Sequence, residues 1–158
     1  MTPPELEHYL HEHIPLSRAM HVSVVAADAN GVTLQAPLAP NINHRDTVFG
    51  GSASALAILS AWSLLQIRAM AAGLTPRLVI QHSTMDYEQP IAGAFVARSA
   101  LAEPGHWTQF THMYERKGKA RISVNAVLSF EGEVAARFNG EFVALDPRRV
   151  REGSGLQA

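Results

Sequence analysis

The sequence contains no cysteine. A disulfide framework, thiolate catalysis and a cysteine-based zinc site are therefore excluded. The absence also suits a reducing compartment. Charge is sparse: Asp, Glu, Lys and Arg make up 17% of the chain and nearly cancel, to a net −1. Neither nucleic acid nor an anionic membrane surface has an electrostatic argument here. No P-loop and no G-x-G-x-x-G is present, so nucleoside triphosphate and dinucleotide use lack their usual cradle. Eight histidines are present, and His8, His11 and His13 cluster, but there is no H-E-x-x-H and no acid group to complete a metal site. His8, His11 and His13 read as surface positions of an amphipathic helix, and no metal is expected. Ser54, Ser60 and Ser63 have no His and Asp partners at a recognisable spacing, so a serine-hydrolase triad is not expected either. The opening MTPPELEHYLHEHIPL has no basic segment followed by an apolar one, and a cytoplasmic location is the expectation.

Against these absences stands one long apolar run, SASALAILSAWSLLQIRAMAAG, entered through Phe49-Gly50-Gly51. It lacks proline, is rich in Ala and Leu, and predicts a helix over about residues 50–72. Gly73 and then Pro76 supply the stop. At about 100° per residue its polar side chains do not share a face. Ser52, Ser63 and Gln66 point one way, and Ser54 and Arg68 point roughly opposite. A helix buried on nearly every side follows. Its length approaches that of a membrane span, but four serines, a glutamine and an arginine argue against one.

The rest of the chain reads as a wall around this helix. Thr2 and two prolines open a short helix over 4–13 whose Leu6, Tyr9 and Leu10 share a stripe. Met20–Ala27 and Val32–Ala36 read as a hairpin turning near Asn30-Gly31. After Gly73, five strands are expected: Arg77–Tyr87, Ala94–Ala102, Thr108–Lys117, Lys119–Phe130 and Val134–Leu145. Most alternate with period two, as in a sheet covered on one face. Residues 147–158 read as a flexible tail and 1–146 as one domain. The fold class is α+β, a curled antiparallel sheet of six or seven strands around one helix. Such a sheet leaves an edge open, so a homodimer is expected, and a tetramer is compatible.

This order, with Asn43, Thr47, Phe49, Gly50, Gly51 and Ser52 at the mouth of the helix, resembles the hotdog fold. More narrowly, APLAPNINHRDTVFGGSASALAILSAWSLL followed by MDYEQPI is similar to the putative thioesterase family found as the C-terminal domain of YiiD-type proteins. The resemblance spans about residues 18–145. It implies action on acyl thioesters of coenzyme A or acyl carrier protein, with no cofactor beyond the phosphopantetheine that the substrate carries. It also implies a site at the helix N-terminus, at a dimer interface. There the Gly50 and Gly51 amides would polarise the thioester carbonyl. Asn43 would position a reactant, Asp46 would be the base, and Thr47, Phe49 and Ser52 would meet substrate, Thr47 and Ser52 alternatively capping the helix. Many hotdog thioesterases carry His-Gly-Gly where this chain has Phe49-Gly50-Gly51, and an acid where it has Leu56–Ser60. Another branch keeps its Asp seven residues before the polarising amide, where this chain has Asn43. Arg77, Arg116, Lys117, Lys119 and Arg121 are either solvated or available to substrate phosphates. Two other functions remain open: a non-catalytic acyl-thioester binding domain, and a hydratase or dehydratase using His44 with Asp46.

Overall fold

The computed structural model describes residues 1–149. Helix α1 (Pro3–His13) starts on a capping box in which the Thr2 hydroxyl accepts from the Glu5 amide and the Glu5 carboxylate accepts from the Thr2 amide at 2.7 Å. Leu6 and Leu10 are buried, and Tyr9 stacks on Trp62 with ring centroids 6.2 Å apart. Pro15 ends α1 and begins an unexpected second helix, α2 (Pro15–Ala19), at the position where proline costs no hydrogen bond. His11, expected on the surface, is half-buried and donates from Nε2 to the Val22 carbonyl at 2.7 Å, joining α1 to the residue just before the first strand.

Strands β1 (Ser23–Asp28) and β2 (Gly31–Ala36) form the hairpin, with Ala29 and Asn30 between the paired Asp28 and Gly31. The Asp28 carboxylate accepts from both the Asn30 and Gly31 amides, an Asx turn. Gly31 has to be small, because a Cβ there would lie 2.7 Å from the Ser99 carbonyl oxygen of the neighbouring strand.

The central helix α3 (Gly50–Ala71) is enclosed as its composition implies. Every residue from Ser52 to Ala69 is buried or half-buried. By length and apolar content alone α3 could cross a membrane, but here it is the core of the sheet. Of its two buried serines, Ser60 is hydrogen-bonded, whereas the Ser63 hydroxyl meets no partner among the described residues. Ser60 donates to the Val32 carbonyl at 2.7 Å, and Ser99 donates to the Ser60 carbonyl at 2.9 Å, so these buried hydroxyls are satisfied. Gly73 closes the helix at φ 71°, with the Leu74 amide returning to the Ala69 carbonyl.

Strands β3 (Arg77–Tyr87), β4 (Phe95–Leu101), β5 (Lys119–Phe130) and β6 (Glu133–Leu145) complete one antiparallel sheet in the order β1-β2-β4-β5-β6-β3. The described residues form six strands because Thr108–Lys117 is not one of them. It belongs to helix α4 (His106–Lys117). Phe110, His112 and Tyr114 do alternate with polar residues, but Trp107, Phe110 and Tyr114 also recur at helical spacing. Burial decides between the two patterns: Phe110 and Tyr114 are buried while His112 is exposed. Gly118, at φ 71°, is the left-handed C-cap of α4 rather than a hairpin tip. Since β4 ends opposite Val124, α4 stands beside the first residues of β5.

The first residues of the expected tail are tied down. Arg148 donates to both oxygens of Asp146, at 3.1 and 3.0 Å, and Arg149 donates to the carbonyls of Glu115 and Arg116 at the negative end of α4. The remainder of that tail, 150–158, lies outside the described residues. Asp146 is only 2% exposed, and the Arg148 hydrogen bonds hold its carboxyl below the usual carboxylate range. A depressed folded value means that this stabilisation is full above the unfolded value of about 3.9 and disappears as pH falls through the lower, folded one. Asp146→Asn is therefore expected to lower the urea midpoint at about pH 6. The gap to wild type should close toward about pH 2, as the wild-type carboxylate protonates.

Candidate active site

The loop from β2 to α3 is built around two asparagines. Asn41 is buried and donates to the carbonyls of Met20 (3.0 Å) and Pro37 (2.8 Å), which anchors the loop to the body. Asn43 closes the loop on itself. Its side-chain oxygen accepts from the Arg45 amide at 2.8 Å and the Thr47 amide at 3.2 Å, and its Nδ2 donates to the Thr47 hydroxyl at 2.9 Å. The Asn43 amide therefore has its hydrogen bonds inside the loop. Its geometry braces the loop. Asn43→Ala should lose about 1 kcal/mol of stability. It should also speed hydrogen exchange at the Thr47 amide, which has no other acceptor among the described residues; amide exchange measured by NMR checks both the site and the sign.

The brace displays Asp46. That residue sits at φ 61°, a left-handed conformation that Asp tolerates, with its side chain exposed. No cation pairs with it among the described residues, and the neighbouring Arg45 guanidinium turns to His44 instead.

At the entrance to α3, the Phe49 amide donates to the Asn41 carbonyl, and the Phe49 carbonyl accepts from Ser52 and Ala53. The Gly50 and Gly51 amides meet no acceptor among the described residues. Phe49 is the N-cap and offers no side-chain acceptor. Thr47 and Ser52, which the sequence suggested as caps, do not cap: the Thr47 hydroxyl is taken by Asn43, and Ser52 is half-buried in the first turn. Two free donors thus stand at the positive end of a 22-residue helix. The Phe49 ring, 58% exposed, lies over Gly51, where an added Cβ would fall 2.4 Å from it.

Beside these amides is a pocket of about 240 Å³, bordered by Val48, Gly50, Ala53, Tyr87, Glu88 and Ala135 among others. The Tyr87 hydroxyl donates to the Gly50 carbonyl at 3.2 Å and steadies the first turn of α3. Glu88 brings a carboxylate to the wall, held by Arg137 Nε at 2.9 Å. Of the residues expected from the sequence, Gly50 lines this pocket; Asn43, Asp46, Thr47, Phe49, Gly51 and Ser52 are not part of its wall. Tyr87 and Glu88 were not anticipated. The available signal was their place in MDYEQPI, where a strand ends just before Pro90.

The basic residues lie elsewhere. Arg77 and Lys119 both pair with Leu145, whereas Tyr87 and Leu128 both pair with Ala136. Lys119 and Leu128 are nine residues apart along β5 (128 − 119), or about 30 Å at ~3.3 Å per residue. Within one chain, Lys119 and Arg121 are therefore remote from Gly50.

Comparison with solved structures gives the same architecture. A protein of unknown function from Chlorobaculum tepidum TLS matches with a TM-score of 0.84 at 29% identity, over 91% of this chain and 96% of that one. A putative thioesterase from Shewanella oneidensis matches with a TM-score of 0.77 at 23% identity, over 90% and 96%. A probable thioesterase from Pseudomonas aeruginosa matches at the same score and identity, over 90% and 95%. A family described as "Putative thioesterase (yiiD_Cterm)" matches residues 4–146, taking in α1 as well as the 18–145 expected from the motifs. The helix wrapped by a six-stranded sheet is a hotdog fold, and the chain belongs to the putative thioesterase family of YiiD C-terminal domains.

Proposed function

We propose that the protein hydrolyses acyl thioesters of coenzyme A or acyl carrier protein at the N-terminus of α3. The observation that carries this reading is the pair of unpartnered Gly50 and Gly51 amides opening beside a pocket. Donors fixed in this way stabilise the oxyanion that forms when water attacks a thioester carbonyl. Asp46 is the base that takes the proton from water. It is the carboxylate near this end of the helix that no cation engages among the described residues, whereas Glu88 is held by Arg137. Asn43 acts by bracing the Asp46 loop. The exposed Phe49 ring, with Thr47 and Ser52, meets the acyl and pantetheine groups.

Because Asp46 does not border the pocket within one chain, the reading includes a homodimer that completes the site. Strand β3 supports this. Among the described residues it has an unpaired edge over 11 residues, and Ile80 and Tyr87 are exposed along it. An edge of that length is a template for a second copy. Membership of a thioesterase family supports the reaction class.

The experiment is to follow free-thiol release across a panel of acyl-coenzyme A chain lengths, with calorimetry in parallel. Release from one or more members supports hydrolysis. Binding without release would replace it with an acyl-thioester binding domain, a reading consistent with the carboxylate-free stretch Leu56–Ser60.

A further inference from the structure

A second cavity is not used by this reading. It lies between α4 and the start of β5, with a volume of about 620 Å³, within the size range of small-molecule sites. His106, Gln109, Met113 and Lys117 line it from one face of α4, spaced three and four residues apart, with Phe110 beside them. Lys119 and Arg121 line it from β5. The helical wall runs over the 12 residues His106–Lys117, 11 steps (117 − 106) or about 16 Å at ~1.5 Å per residue, so the groove is elongated.

Its polarity changes along that length. Lys117 and Lys119 flank the Gly118 turn at one end, and neither has a carboxylate partner among the described residues. Arg121 stands next to them, 4.0 Å from Glu141. The middle is apolar, with Phe110, Ala120 and a 40%-exposed Met113. At the far end are Gln109 and His106, the latter already 3.0 Å from Glu103. The walls are well anchored. Arg68 lies 4.5 Å above the Trp107 ring, Phe110 and Tyr114 are buried, and Arg149 binds the last carbonyls of α4.

We propose that this groove binds a linear anionic amphiphile, a fatty carboxylate, with its head at Lys117 and Lys119 and its chain along Phe110 and Met113. Two ammonium groups without a carboxylate partner among the described residues supply the charge-assisted hydrogen bonds that a carboxylate takes. The adaptable Met113 side chain suits a flexible alkyl chain, and apolar contact supplies the rest of the affinity. A phosphate-rich nucleotide fits less well, because its polar sugar would face Phe110 and Met113. Within one chain Lys119 is about 30 Å along β5 from Leu128, which pairs with the pocket residue Ala136, so the groove is separate from that chain's own Gly50 pocket and its occupancy does not rest on the proposed hydrolysis.

Calorimetric titration of the full chain with decanoate, decanol and coenzyme A tests the proposal. Decanoate should bind, decanol about tenfold more weakly, and coenzyme A should not compete. Lys119→Ala should weaken decanoate about tenfold, and Met113→Asp should abolish its binding at this site. Both side chains are exposed at least in part, so the thermal midpoints should stay at the wild-type value and report that the variants are folded. Undetectable decanoate binding, affinity unchanged in both variants, or tight competition by coenzyme A would each overturn the proposal.

Discussion

Asp46→Asn is expected to lower kcat for thioester hydrolysis by roughly two to four orders of magnitude, the usual contribution of a positioned general base. KM should change little, because the proton-accepting role appears only on the way to the transition state. The substitution is nearly isosteric, and Asn occupies left-handed backbone as readily as Asp does at φ 61°. The Asn43 brace acts through main-chain amides and Thr47 and does not touch the Asp46 side chain. Thermal unfolding should therefore match wild type, separating a chemical defect from a folding one. Glu88→Gln is the companion variant. It removes the other nearby carboxylate and frees Arg137, and a drop of less than about tenfold is expected from altered pocket electrostatics. The reverse ranking in steady-state assays would transfer the base to Glu88.

The second large effect is on stability. Leu64→Ala should destabilise the fold by about 3–5 kcal/mol, as lost transfer energy adds to an unfilled cavity. For a chain of this size that lowers the melting temperature by roughly 10 °C. Leu56 and Leu65 should be comparably sensitive, since all three are 0% exposed. At about 100° per residue they are spread over half the circumference of α3. An amphipathic surface helix would spare at least one of them. Met70, 48% exposed near the helix end, is the control, and Met70→Ala should stay within about 0.5 kcal/mol. Denaturant unfolding of the four variants checks this contrast.

The central helix was legible in the sequence because its signal is compositional and long. An Ala- and Leu-rich run with scattered polar residues has few other folded fates, and Gly73 ends it where a left-handed residue is needed. Helix α4 was not legible. Over Thr108–Lys117, alternation and helical periodicity both fit, and Gly118 serves a hairpin tip or a helix C-cap equally well. Only tertiary burial of Phe110 and Tyr114 separates the two. The candidate site divides in the same way. Gly50 and Gly51 announce themselves locally, at the start of a helix. Tyr87 and Glu88 reach the pocket through the pairing of β3 with β6, which brings Tyr87 opposite Ala136, and no local pattern encodes that register. Asn43 reads in the motif either as a residue positioning a reactant or as an Asx turn in its loop, and its side-chain oxygen and one Nδ2 hydrogen are engaged within that loop.

The most direct test of the account is the amide spectrum of Gly50 and Gly51. A stable acyl-coenzyme A analogue with a methylene in place of the thioester sulfur keeps the carbonyl and cannot be hydrolysed. On titration with it, both glycine amide protons should move downfield together, saturating with the same affinity that calorimetry reports, as the carbonyl oxygen accepts from them. If the analogue saturates the protein while these two resonances stay where they were, the reacting carbonyl is not held at the N-terminus of α3, and the account is wrong.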